Sequence, residues 1–77
     1  MGKLKSTACI QLGKRIRELR KKNEFSQEGF ADLAGLHRTY LGGLERGERN
    51  PTLTVIIRVA KALNVTVSKL VDGVSNV

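Results

Sequence analysis

The segment SQEGFADLAGLHRTYLGGLERG, Ser26 to Gly47, decides how the chain folds. Ser26 is suited to accept a hydrogen bond from an early backbone N–H of a helix that begins at Gln27. Gly29 stands where a Glu or Gln would complete a capping box, so Ser26 caps without that partner. Phe30, Ala31, Leu33 and Ala34 supply an apolar face, and Gly35 is free to take the left-handed conformation that ends a helix. Leu36, Tyr40, Leu41 and Leu44 then recur at helical spacing to about Arg46. Opposite them stand Thr39, Gly42, Gly43 and Arg46, with Arg38 at the flank. The adjacent glycines are therefore expected to face outward, at a cost of roughly 2 kcal/mol against alanine.

The flanking chain is also helical in pattern. From about Thr7 to Asn23, Cys9, Leu12, Ile16 and Leu19 fall on one stripe, with basic residues on most of the remaining surface. Arg20 lies one turn after Ile16, beside the stripe, so it is expected to be partly buried and to need an acidic partner. After the polar turn GERNP, Thr52 is suited to cap a fourth helix whose buried side is expected to comprise Leu53, Ile56, Ile57, Ala60 and Leu63. Val55 and Val59 widen that apolar surface. A short last helix is expected from Val67 to about Asp72, capped by Thr66, followed by a fraying tail, GVSNV. The reading is all-α: one compact five-helix domain over residues 1–77, its central motif at about 26–46, with residues 1–6 and 73–77 loose.

Composition narrows the function. A chain of 77 residues buries only about 60% of its unfolded surface and is marginal alone, which favours a partner subunit. With 40% hydrophobic and 27% charged residues it reads as an ordinary soluble protein, with no spanning segment and no signal peptide, and a cytoplasmic location is expected. One cysteine, Cys9, and one histidine, His37, give neither a disulfide framework nor a zinc site, so no metal or cofactor is expected. Cys9 reads as a small packing residue, and His37 has no nucleophile beside it, so no enzyme activity is expected. Fourteen Lys and Arg against seven Asp and Glu give a net charge of +7, which favours a polyanion, nucleic acid ahead of a membrane surface. Much of that charge lies early, in Lys3, Lys5, Lys14, Arg15, Arg17, Arg20, Lys21 and Lys22; a solvated, solubilising face is the plainer alternative.

Two short helices joined through a glycine, the second with a polar face, form a helix-turn-helix arrangement. Ala31, Gly35, Leu36, Leu41 and Leu44 stand where steeply crossing helices need close approach, a tight turn and a shared core. At these residues, together with RIRELR (15–20), LERG (44–47) and AKALNV (60–65), the chain resembles the phage-repressor-like helix-turn-helix family, also called Cro/CI or Xre. The resemblance covers roughly Leu12 to Leu70 and implies a lambda-repressor-like fold.

It also implies a docking geometry, in which the helix from Arg38 enters the DNA major groove. The implied base-reading candidates are Arg38 and Thr39, with His37 at the helix start; Gly42 and Gly43 read either as points of close backbone approach to the DNA or as a merely vacant contact surface with weaker specificity. Side chains are usual in the family at the two glycine positions, so this chain departs from the pattern there. Implied phosphate contacts come from Ser26 and Gln27 at one helix start, from Arg46, Arg49 and Asn50 around the following loop, and from the Tyr40 hydroxyl, whose ring packs inward. The resemblance further pairs Arg20 with Glu45 as a structural ion pair. A two-fold dimer on a palindromic operator is expected, with Val55, Val59, Val67, Leu70, Val71 and Val74 as interface candidates. The implied function is a small transcriptional regulator of double-stranded DNA, with no small-molecule ligand, and the segment HRTYLGGLERGERNPTL also resembles controller proteins of restriction–modification systems. An antitoxin or other interaction module with secondary DNA binding is the alternative.

Overall fold

The computed structural model of the chain describes residues 6–75. It has five helices: α1 (Thr7–Lys22), α2 (Gln27–Ala34), α3 (Arg38–Glu45), α4 (Leu53–Ala62) and α5 (Val67–Leu70). Four of their starts, all but that of α3, follow from hydroxyl caps. Ser6, Ser26 and Thr66 each accept an amide hydrogen bond at 3.0 Å, from Cys9, Gly29 and Lys69, and Thr52 accepts one from Val55 at 3.2 Å.

Their ends are equally local. After α2 the Gly35 amide donates to the Asp32 carbonyl and the Leu36 amide to the Ala31 carbonyl, the paired bonds of a Schellman turn, with Gly35 at φ 72°. The same pair of bonds recurs after α1, α3 and α4, around Glu24 (φ 63°), Gly47 (φ 77°) and Asn64 (φ 58°). Gly47 has a second reason to be glycine, because a Cβ there would sit 2.8 Å from the Ile10 Cα on α1. Glu24 takes the left-handed conformation without glycine's freedom.

The core gathers one meridian from each helix. Leu12, Ile16 and Leu19 of α1 meet Phe30 and Ala31 of α2, Leu41 and Leu44 of α3, Val59 and Ala60 of α4, then Leu63 and Leu70. Phe25 tilts onto Phe30 with ring centroids 5.6 Å apart. Cys9 is half-buried and lines an apolar cleft of about 200 Å³ with Leu12, Ile56, Val71 and Val74.

Three expected core residues are exposed instead: Leu33 at 58%, Leu53 at 66% and Ile57 at 39%. In α4 the buried line runs through Ile56, Val59, Ala60 and Leu63, which turns Leu53 and Ile57 toward solvent. A helix apolar on nearly every side does not reveal its inner meridian by periodicity. Val59 and Leu70 are each 0% exposed, so these two interface candidates are spent on the chain's own core.

The tail reaches back to α1. The Ser75 amide donates to Gln11 Oε1 at 2.6 Å, and half-buried Val74 packs on the core. Ser75 thus meets α1, and Ser6 serves as the cap of that helix. Arg15 Nη2 adds a 3.0 Å hydrogen bond to the Lys69 carbonyl, joining α1 to α5. The looseness expected of residues 1–5, Asn76 and Val77, and the placement of Lys3 and Lys5, lie outside the described residues.

Candidate nucleic-acid interface

What holds α3 from behind determines what it offers in front. Leu41 and Leu44 are buried and Tyr40 is half-buried, leaving His37, Arg38 and Thr39 exposed together at the helix start. His37 occupies the cap position with extended backbone, φ −70° and ψ 142°, but its side chain makes no capping hydrogen bond. Three consecutive polar side chains therefore project from the first turn of a helix whose inner face is fixed.

The far end of α3 is anchored by buried charge. Arg20 and Glu45 are each only 7% exposed. Arg20 Nε donates to Glu45 Oε2 at 2.6 Å and Nη2 to Oε1 at 3.0 Å, the forked geometry that suits guanidinium to carboxylate. Arg20 Nη1 donates to the Phe25 carbonyl at 2.9 Å. Hydrogen bonding to Glu45 raises the Arg20 pKa above its ordinary value, outweighing the opposing effect of desolvation, and Glu45's negative charge adds to the rise.

Gln27 Nε2 donates to the same Glu45 Oε1 at 3.1 Å. One carboxylate thus ties α1, the start of α2 and the end of α3 together. The expected Arg20–Glu45 pair is present. The Gln27 side-chain amide, expected on a phosphate, is engaged within the protein, while its backbone N–H remains at the helix start. Ser26 Oγ is likewise occupied as the acceptor for Gly29 N.

Gly13 belongs to this anchoring and gave no signal in the sequence beyond being a glycine inside α1. A Cβ there would lie 2.6 Å from the Glu45 carbonyl oxygen and 2.8 Å from its carbon, and would also press on the Leu44 carbonyl oxygen. The backbone of α1 rests directly on the last turn of α3.

The glycine pair is not bare. Gly42 and Gly43 lie on the polar side of α3 as expected, but both are buried, because side chains from α2 and the following loop cover them. A Cβ at Gly42 would be 3.2 Å from Arg46 Nη1 and 3.8 Å from the Gln27 amide. One at Gly43 would be 3.2 Å from Arg49 Nε and 3.3 Å from Arg49 Cγ. The outward-facing expectation failed because helical spacing counts only neighbours on the same helix, whereas the cover returns from beyond its end.

Arg46 meets Glu48 Oε1 at 3.0 Å, with both side chains exposed, and that hydrogen bond raises its pKa. The Arg49 guanidinium carbon lies 5.6 Å from the Tyr40 ring centroid, within cation–π range. Arg46, Arg49 and Asn50 are all exposed, so the loop after α3 extends the polar surface begun by Arg38 and Thr39. The remaining interface candidates Val55, Val67, Val71 and Val74 are half-buried on the core. The apolar side chains most open to a partner on α4 are Leu53 and Ile57, both expected in the interior from sequence.

Known proteins share this fold. A family described as helix-turn-helix matches residues 16–70. The chain is 52% identical over 67 residues to the control protein C.SmaI of Serratia marcescens, covering 84% of this chain and 80% of that protein. The crystal structure of the restriction-modification controller protein C.AhdI from Aeromonas hydrophila is similar with a TM-score of 0.79 and 45% identity, covering 80% of this chain and 94% of that one. The structure of SinR, a master regulator for biofilm formation, in complex with DNA gives a TM-score of 0.75 and 34% identity over 79% of this chain and 98% of that one.

Proposed function

The chain belongs to the phage-repressor-like helix-turn-helix family, and from that premise we propose that it is a sequence-specific transcriptional regulator that binds double-stranded DNA as a dimer on palindromic operators. The observation that carries the reading is the exposed trio His37, Arg38 and Thr39 at the start of a helix anchored by a buried ion pair. Arg38 is suited to a bidentate contact with guanine O6 and N7, worth about 1–3 kcal/mol of discrimination, and Thr39 to a hydrogen bond or a thymine methyl. His37 lies beside them as a third candidate.

Arg46, Arg49 and Asn50, with the backbone N–H of Gln27, are the candidate phosphate contacts, and the Ser26 and Tyr40 hydroxyls flank them. These fix register while Arg38 and Thr39 read sequence. Fourteen basic residues against seven acidic ones supply the attraction that brings the duplex in. No chemical step is assigned to the chain, and it works where it meets DNA, in the cytoplasm.

One recognition helix spans only a few base pairs, so a two-fold pair of helices about 34–36 Å apart supplies the rest of the site. Leu53 and Ile57, one turn apart and exposed on α4, are our candidates for seeding that contact. Because its similar proteins include a control protein and a restriction-modification controller, we assign the chain to timing the expression of a restriction–modification system.

The test is selection of bound duplexes from random DNA, followed by titration of the selected duplex across salt. The expected result is an inverted repeat with half-sites about one helical turn apart, bound with a steep salt dependence. Equal recovery of all sequences, or tight binding to a protein with none to DNA, would overturn it.

A further inference from the structure

We propose that Gly43, assisted by Gly42, is a positioning residue that seats the loop arginines on the reading side of α3. The proposal rests on the DNA-binding reading above and concerns how that surface is assembled. Arg49 follows α3 by a short loop, yet its stem returns along the helix to within 3.2–3.3 Å of where a Gly43 Cβ would stand. The atoms that approach are Cγ and Nε, in the middle of the side chain, so a larger residue 43 displaces the whole stem. Such displacement lifts the guanidinium from its position 5.6 Å from the Tyr40 ring centroid.

Gly42 is the weaker seat. Only Nη1, the mobile end of Arg46, approaches its vacant Cβ position at 3.2 Å, and the other nitrogen of that head holds Glu48 at 3.0 Å. The glycines sacrifice helix propensity, and in return two charged side chains from outside the helix lie against Gly42 and Gly43, one turn on from Arg38 and Thr39. An arginine already laid against a glycine notch and an aromatic face loses less rotamer freedom on meeting a phosphate or base than a free one does. In this arrangement the cationic surface that residues 42 and 43 do not provide is supplied from the loop.

A double-mutant cycle reads this directly, using a duplex selected by the parent chain as probe. Gly43→Leu and Arg49→Ala are each expected to weaken binding about tenfold, while the double variant binds within about twofold of Arg49→Ala alone. Gly43→Ala is expected to give a smaller loss that likewise vanishes in the Arg49→Ala background, and it carries the cycle if thermal melting shows the leucine variant to be misfolded. Losses that multiply across the two sites would overturn the seat, since the glycine would then act on DNA without Arg49. Full affinity in both Gly43 variants would overturn it too. Failure of the parent to select any duplex would instead overturn the DNA-binding reading itself.

Discussion

Replacing Arg20 by methionine removes one member of a buried ion pair and leaves the other. The Glu45 side chain is only 3% exposed, and after the substitution its carboxylate keeps just the Gln27 amide, at 3.1 Å, among the two groups that now donate to it. The Phe25 carbonyl loses its guanidinium donor as well. Breaking a buried pair from one side costs about 3–5 kcal/mol because a charge is left without compensation. For a domain of this size each kcal/mol moves the melting midpoint by about 4–8 °C, so a fall of roughly 12–40 °C is expected. The double variant Arg20→Met/Glu45→Leu removes both charges and should recover to within about 1–2 kcal/mol of the parent, since an apolar pair of similar volume is often neutral. Circular dichroism melts of the three proteins at neutral pH measure this. A single variant that loses less than about 1 kcal/mol, or a double variant no more stable than the single, would refute the argument from uncompensated charge.

Other expectations follow from individual residues. Gly13→Ala should destabilise the chain by about 1–3 kcal/mol in urea unfolding, despite a better helix propensity, because its methyl group meets backbone of α3 that cannot move aside. Glu24→Gly should stabilise by about 1 kcal/mol, through relief of a left-handed conformation at the end of α1, and an unchanged midpoint would count against that strain. Ile57→Glu combined with Leu53→Glu should convert a dimer to a monomer in sedimentation equilibrium while the far-UV circular dichroism of the folded helices is retained; an unaltered dimer would remove α4 from the interface.

Much of this architecture is legible without coordinates because its signals are local. Ser26, Thr52 and Thr66 cap the helices they precede, and Gly35 ends α2, each through bonds reaching only a few residues along the chain. The Arg20–Glu45 pair was accessible through family resemblance, supported by an arginine beside an apolar stripe that needed an acidic partner. Legibility fails where the deciding contact comes from far away in sequence. Leu53 and Ile57 read as core because α4 is apolar on several sides, and only the position of α2 and α5 selects Val59 and Ala60 as its inner line. Ser75 lies in a segment that reads as loose from composition alone, and its partner Gln11 stands 64 residues away. Glu24 carries no compositional hint of its positive φ.

The reading surface shows the same division. Thr39 is exposed, as its place opposite Leu41 and Leu44 suggests, and Arg38 is exposed at the flank of that set. The cover on Gly42 and Gly43 was not foreseen, because Arg46 and Arg49 lie past the last turn and fold back. Likewise Gly13 reads as an unexplained weakness in α1 until α3 is found resting against it.

The most direct measurement is a fluorescence anisotropy comparison of the parent and Arg38→Ala on a selected duplex and on the same duplex with the guanine assigned to Arg38 replaced. The parent should lose about 5- to 150-fold in affinity on that replacement, the equivalent of about 1–3 kcal/mol, while Arg38→Ala binds the two duplexes equally. Undiminished discrimination by Arg38→Ala would show that this side chain does not read the base and that α3 does not enter the groove as proposed.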